Sequence, residues 1–404
     1  MRFYIDPQQR CGQKHAGGDM KRFGIVLLLF CIFLAAADVR ASEIDQERSL
    51  DEIQQAVEQA LFGELGFKEV DEALETLFPE GKMEFGETVK AVAEGKLPLS
   101  FETVGKFVKE QLFYEFSQSK KSLVYILMLA VAAAVFANFS GIFPNRQIAE
   151  ISFYLLYLLL FTVCLNGFRV MTDFTAQRLG LLTSFMKVLG PVYFLAVAVA
   201  RGSVTSIAFY NLVLFLIFLV ELLILNVLLP FVQVYTILEL LDHLSSEEYL
   251  SKMAELIHTG ISWSIRTLLA CVIGLNLIQG MLLPVIDSVK RGVVAKTAEA
   301  IPGVGDAIGG MAEVVLGTTV LVKNSIGITG AVICVGICAV PFLQVAVISF
   351  LYKLVAAVIQ PVSDERIVGC VSGIGKGYEL LLKIIFTTGL LFLLTIAVVT
   401  ASTT

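Results

Sequence analysis

Among the ionisable residues inside apolar runs of this chain, six are candidates for chemistry. Asp306, Glu313 and Lys323 lie in the glycine-rich stretch 296–330, while Lys187, Glu221 and Arg266 lie in earlier apolar tracts. Ionisable groups cost free energy in lipid, so they persist there when they face protein or water. Glu221 has no ionisable neighbour on its own helix, which makes Lys187 and Arg266, from other spans, its expected partners. A structural ion pair is the plainer reading, and a conduction or proton site the sharper one.

Glycine spacing is the second signal. Read as a helix, Gly303, Gly310 and Gly317 recur every seven residues and share one face, with Asp306 and Glu313 on the adjoining stripe. Gly305 and Gly309 form a G-x-x-x-G, and Gly369, Gly373 and Gly377 form a double one. Such spacing favours close helix contact, within the chain or between subunits.

Other chemistry is hard to assemble. Gly303-Val304-Gly305 suggests a phosphate loop, but Ile308 stands where the third glycine belongs, and no Walker lysine follows. The three histidines sit in no usable pattern with Ser or Cys, and H-E-x-x-H is absent. Cys334 and Cys338 are one helical turn apart without a His or a second Cys pair, so they read as small core residues rather than metal ligands. No enzyme activity, metal or cofactor is expected.

The elements that must position these residues are membrane helices. The chain has 404 residues, 56% hydrophobic and 16% charged, with mean hydropathy +0.80. Those values exclude a soluble globular protein, and several runs reach the roughly 18–20 apolar residues that cross a bilayer. We expect an all-α polytopic membrane helix bundle with a small exported helical N-terminal region. Nothing forms a basic patch, so no nucleic-acid partner is expected.

Residues 1–41 read as a signal peptide: Lys14, Lys21 and Arg22 precede the apolar Gly24–Ala37, and cleavage is expected after Ala41. An uncleaved signal anchor would give the same topology, and Met20 is an alternative start. Residues 42–121 form an exported acidic region, with 18 acidic and 7 basic residues over Ser42–Ser119, a net charge of −11. Val70, Leu74 and Leu77 mark an amphipathic helix there. The region is expected to dock on a partner or on the chain's own membrane domain, or to remain a solvated cap.

Membrane spans are expected at Leu123–Phe143, Ile148–Phe168 and Leu179–Ala200, with a polar loop from Arg169 to Arg178. Two long tracts, Ile207–Leu241 and Ser325–Ile359, are interrupted by the helix breakers Pro230 and Pro341. Trp263–Ile286 and Tyr378–Val399 complete the set. The count is six to eight, depending on whether the long tracts are single helices or hairpins. Export of the N-terminal region puts Arg146, Arg201 and the Lys290, Arg291, Lys296 cluster on the cytosolic side.

The two tracts echo each other. Pro230-Phe231-Val232-Gln233-Val234 recurs as Pro341-Phe342-Leu343-Gln344-Val345, an offset of 111, and Pro191 corresponds to Pro302. This suggests a pseudo-repeat, dividing the membrane part into first helices over 122–188 and units over 189–289 and 290–404. Chance recurrence of proline among aliphatic residues is the other reading. Inverted repeats of this kind place transporter sites where helices break, so a stand-alone secondary transporter is one functional reading.

The run Lys296-Thr297, Ile301–Asp306, Gly317 and Leu321–Gly327 (LVKNSIG) resembles the signature of the stage III sporulation protein AE family. The likeness continues through Pro341, Leu351-Tyr352-Lys353 and Ile359–Arg366 (IQPVSDER). The resemblance implies a mother-cell membrane subunit of the channel assembly joining mother cell to forespore in endospore-forming bacteria. Implied partners are membrane lipid, other stage III A-operon sporulation proteins and, through them, stage II sporulation protein Q. The resemblance supplies no catalytic residues.

Overall fold

Long uncharged runs dictate helix wherever they cross lipid, because a helix satisfies its own backbone N–H and C=O groups. The computed structural model describes residues 67–77, 84–95, 146–200, 203–244, 250–298, 305–361 and 363–401, with positions 109, 113, 124 and 128. Along 146–150, 203–205, most of 279–298 and 305–314 it describes the helical backbone alone. Every regular element among the described residues is helical. In order these are α1 (Phe67–Leu77), α2 (Phe85–Ala93), α3 (Arg146–Ala200), α4 (Ser203–Leu219), a π-helical segment (Val220–Leu228), α5 (Leu229–Asp242), α6 (Ser251–Ala298), α7 (Gly305–Ile359) and α8 (Glu365–Ala401). The α4–π–α5 stretch is one rod.

Five described helices are long and apolar enough to cross a membrane: Ile151–Ala200, Ser206–Asp242, Ser251–Ile278, Val315–Ile359 and Glu365–Thr400. Both long tracts are single helices rather than hairpins. The expected spans Ile148–Phe168 and Leu179–Ala200 are also fused into α3, and the loop expected at Arg169–Arg178 is helix. A helix accommodates those charges without a loop: Arg169 and Asp173 point outward, and the Arg178 guanidinium lies 5.0 Å above the Phe174 ring, one turn back. At about 1.5 Å per residue, α3 and α7 each reach roughly 80 Å, far beyond a hydrocarbon core of about 30 Å. Arg146 begins, and Ala200 ends, one rod, while Arg201 lies outside the described residues. The unit boundary expected between 188 and 189 falls inside this helix. The leader and all but two residues of the span expected at Leu123–Phe143 lie outside the described residues.

The two prolines behave differently from a simple break. α7 continues through Pro341, as membrane helices do when neighbouring helices and local adjustments satisfy the freed carbonyl. Pro230 opens α5 directly after the π-helical segment, whose wider winding is registered by the Leu229 N–H bonding to Ile224 O. A proline ring collides with the carbonyl four residues back, and rewinding the preceding residues removes that collision without ending the rod.

Successive rods run antiparallel. Tyr157 on α3 donates to Leu240 O on α5 at 2.6 Å, while at the far end of α3 Tyr193 meets Thr400 on α8 at 2.7 Å. Between them, Asn276 on α6 donates to Thr395 Oγ1 on α8 at 3.2 Å. α8 touches α3, α4, α5, α6 and α7 and is the centre of the bundle. Threonines at 172, 175, 183, 236, 388 and 395 return their hydroxyls to the carbonyl one turn back, so they sit in an apolar interior without an unmet donor.

Of the acidic region, α1 and α2 are described. Phe67, Val70 and Leu74 pack with Phe85 and Val89, α1 lies against α3, and α2 lies against α7. Asp71 on α1 accepts the Phe85 N–H at the start of α2, supplying the cap that Glu84 does not. Gly95, at φ 74°, closes α2 in the left-handed conformation suited to glycine. The α5–α6 turn and the α7–α8 turn lie at the same end of the bundle. In a Cys271→Ser background, Leu244→Cys and Ser363→Cys should therefore react with a membrane-impermeant maleimide from the same side; labelling from opposite sides would require another crossing.

Candidate functional site

The tightest polar joint lies where α8 crosses α5. Residues 369, 373 and 377 share one face of α8 because they are four apart, and antiparallel α5 presents His243, Glu239 and Thr236 to them in that order. A methyl group on Gly377 would lie 2.5 Å from Thr236 Oγ1 and 2.9 Å from Phe168 Cε2. One on Gly373 would lie 2.9 Å from Glu239 Cγ, and one on Gly369 would overlap the His243 imidazole. Only glycine permits this approach.

Polar groups rim the joint. Lys376 Nζ is 2.7 Å from Glu239 Oε1, whose side chain is 12% exposed. Lys353 on α7 pairs with Glu379 on α8. His243 Nδ1 donates to Glu239 O at 2.7 Å, and Asp242 accepts the Leu250 N–H across the turn into α6 at 2.7 Å. Inside the rim, Tyr378 packs edge-on against Phe168 and tilted against Tyr352, each ring centroid 5.2 Å away, and the Cys164 thiol meets Cys370. Asp364 opens α8 by accepting the Arg366 N–H at 2.9 Å, and the Arg366 guanidinium lies 4.1 Å above the Phe153 ring on α3.

A second polar cluster lies at the other end. Lys323 on α7 is fully buried, and its ammonium is 3.4 Å from Val399 O. That carbonyl is in the last turn of α8, where helical carbonyls lack an intrahelical donor and the dipole favours a cation. Beside it, the Tyr193 hydroxyl donates to Thr400 Oγ1, which itself donates to Ile396 O at 2.8 Å. Gly327 makes room: a methyl there would overlap Thr400 Oγ1 and lie 2.6 Å from Tyr193 Oη. One turn on, a methyl on Gly330 would lie 2.7 Å from Leu189 Cδ2.

Between the two ends, Lys187 on α3 pairs with Glu221, the second residue of the π-helical segment. Their side chains are 48% and 42% exposed, so the pair faces outward. Arg266 is exposed on α6, and among the described residues no ion pair joins it to Glu221. A charged group at the centre of a membrane helix costs about 2.5–3.5 kcal/mol, which makes the mutual pairing of Lys187 and Glu221 the least costly arrangement.

The glycines of 296–330 divide. Gly303 lies outside the described residues, and Gly305, Gly309, Gly310, Asp306 and Glu313 lie on α7 where the backbone alone is described. Gly317 is exposed, and a methyl there meets nothing within 4 Å among the described residues. Among the described residues of that stretch, close contacts come from Gly327 and Gly330. Their signal was the small-residue rhythm of Gly327-Ile328-Thr329-Gly330, whereas Tyr157, Tyr193, His243 and Thr400 carried none, since isolated polar residues in apolar tracts have no spacing to read. Among the described residues, no three His, Cys, Asp or Glu side chains gather where they could hold a metal.

Overpacking a joint of this kind costs about 1–3 kcal/mol. Gly377→Ala should lower detergent-solubilised stability by that amount, while Gly317→Ala should change it by less than about 0.5 kcal/mol; thermal unfolding measured side by side checks the contrast. Removing the Tyr157 hydroxyl as Tyr157→Phe should cost about 1 kcal/mol, because Leu240 O then loses its cross-helix donor.

The family model for stage III sporulation protein AE matches residues 83–403. Stage III sporulation protein AE of Bacillus subtilis (strain 168) is 25% identical over 391 residues, covering 94% of this chain and 97% of that protein. No solved structure matches the chain. With five apolar helices of membrane-spanning length and a family match across most of its length, the chain belongs to the stage III sporulation protein AE family of sporulation membrane proteins.

Proposed function

We propose that this chain is a non-enzymatic integral subunit of the channel assembly between mother cell and forespore, lying in the mother-cell membrane with its N-terminal region exported. The supporting observation is where the family-like segments go. LVKNSIG (321–327) joins α7 to α3 and α8 through Gly327 and Lys323. Leu351-Tyr352-Lys353 and IQPVSDER (359–366) build the joint and turn at the opposite end. These residues hold helices together, which suits a scaffold that other subunits grip. Its partners on this reading are the other stage III A-operon proteins and, through them, stage II sporulation protein Q.

A stand-alone secondary transporter is the second reading, favoured by the charged pair at a rewound segment inside a membrane rod, an arrangement that transporters use for sites. The two part on one experiment. Affinity-tagged chain from sporulating cells should co-purify with the other A-operon proteins, and Gly377→Leu should lose them together with late forespore gene expression. Isolation of the wild-type chain without those proteins, combined with solute uptake by vesicles containing it alone, would favour the transporter.

A further inference from the structure

The outward face of the α4–π rod carries polar groups among its apolar side chains, where a purely lipid-facing surface would have none. From Ser203 to Leu238 the only residue charged at neutral pH is Glu221, with eighteen uncharged residues before it and seventeen after. Any bilayer centred on that tract therefore puts Glu221 near the midplane. The exposed positions Asn211, Phe215, Phe218, Leu222 and Asn226 fall four, three, four and four apart, one continuous stripe beside Glu221. Neither Asn211 nor Asn226 has a side-chain hydrogen-bond partner among the described residues. On neighbouring α3, Ser184 and Lys187 are exposed one turn apart. Ionisable groups in membrane helices face protein or water, and amides there act as glue between helices.

We propose that this face binds a second copy of the same chain. The argument is self-complementarity. A two-fold axis along the membrane normal keeps each residue at its own depth in the partner copy. Asn211 then meets Asn211 and Asn226 meets Asn226, and an amide pairs with itself because it carries both donor and acceptor. At the same depth the Lys187–Glu221 pair meets its reversed image, so each ammonium gains a second carboxylate and each carboxylate a second ammonium. The π-helical segment contributes by turning both Glu221 and Asn226, one wide turn apart, toward this face. The inference stands apart from the channel reading, since a homodimeric transporter would use the same surface.

Two experiments on the full-length chain test it. In membranes holding the Cys271→Ser chain, oxidation should join Asn226→Cys chains into a species of twice the mass, while Leu277→Cys on α6 should give none. Oxidation that links Asn226→Cys to a different polypeptide, or to nothing, overturns the second copy in favour of another subunit or of lipid. For charge, two differently tagged copies should co-purify as wild type. Lys187→Glu with itself, and Glu221→Lys with itself, should each fall at least about tenfold through like-charge contact, and a Lys187→Glu copy with a Glu221→Lys copy should recover. Equal loss in the mixed pair, with all chains shown folded by unchanged protease resistance, would overturn the proposed charge register.

Discussion

The close approach of α8 to α5 is the contact on which the rest of the bundle depends. α8 is the one helix that touches each of α3, α4, α5, α6 and α7, so its distance from α5 sets where all of them sit. Three missing side chains, at Gly369, Gly373 and Gly377, bring the two rods together, and the space so gained is filled by Thr236, Glu239 and His243. In lipid, helices gain little from hiding apolar surface, because the tails are as apolar as leucine. Association there depends on close packing and on polar groups that find each other, and this joint supplies both.

The same constraint explains how a largely apolar bundle tolerates its charges. Glu239 and Lys376, Lys353 and Glu379, and Lys187 and Glu221 are each joined across two helices. Lys323 uses a different device, placing its ammonium at the carbonyl end of α8. Hydroxyl groups return to their own helix. Each solution removes an unmet polar group from an apolar environment, and those made across two helices also fix their register, because a bond made at one height forbids sliding.

That economy bears on function. Among the described residues, the segments 321–327, 351–353 and 359–366 that resemble the stage III sporulation protein AE signature lie at the two ends of the bundle, where turns and joints are made. Helices α1 and α2 add a docked layer against α3 and α7. The outward-facing Lys187–Glu221 pair lies part-way along two of these rods rather than at a turn.

The helical class, the membrane location and the family were legible from the residues alone, because hydropathy, glycine spacing and the LVKNSIG and IQPVSDER runs are local properties. The double G-x-x-x-G announced a close helix contact, since four-residue spacing marks one face of any helix. What it met was not legible: Thr236, Glu239 and His243 are more than a hundred residues away, and nothing local ties them to α8. Lys323 shows the limit most sharply, for its acceptor is a backbone carbonyl, which every residue carries and no residue type reveals. The fusion of two expected spans into α3 has the same origin. Charges at 169–178 look like a loop when every helix is assumed to match the bilayer, and only packing along the whole rod decides that the helix continues. Sequence by itself determined which segments are helices and which face of each is small or polar. Tertiary structure alone decided which faces meet, because in lipid that choice rests on shape and on distant polar partners.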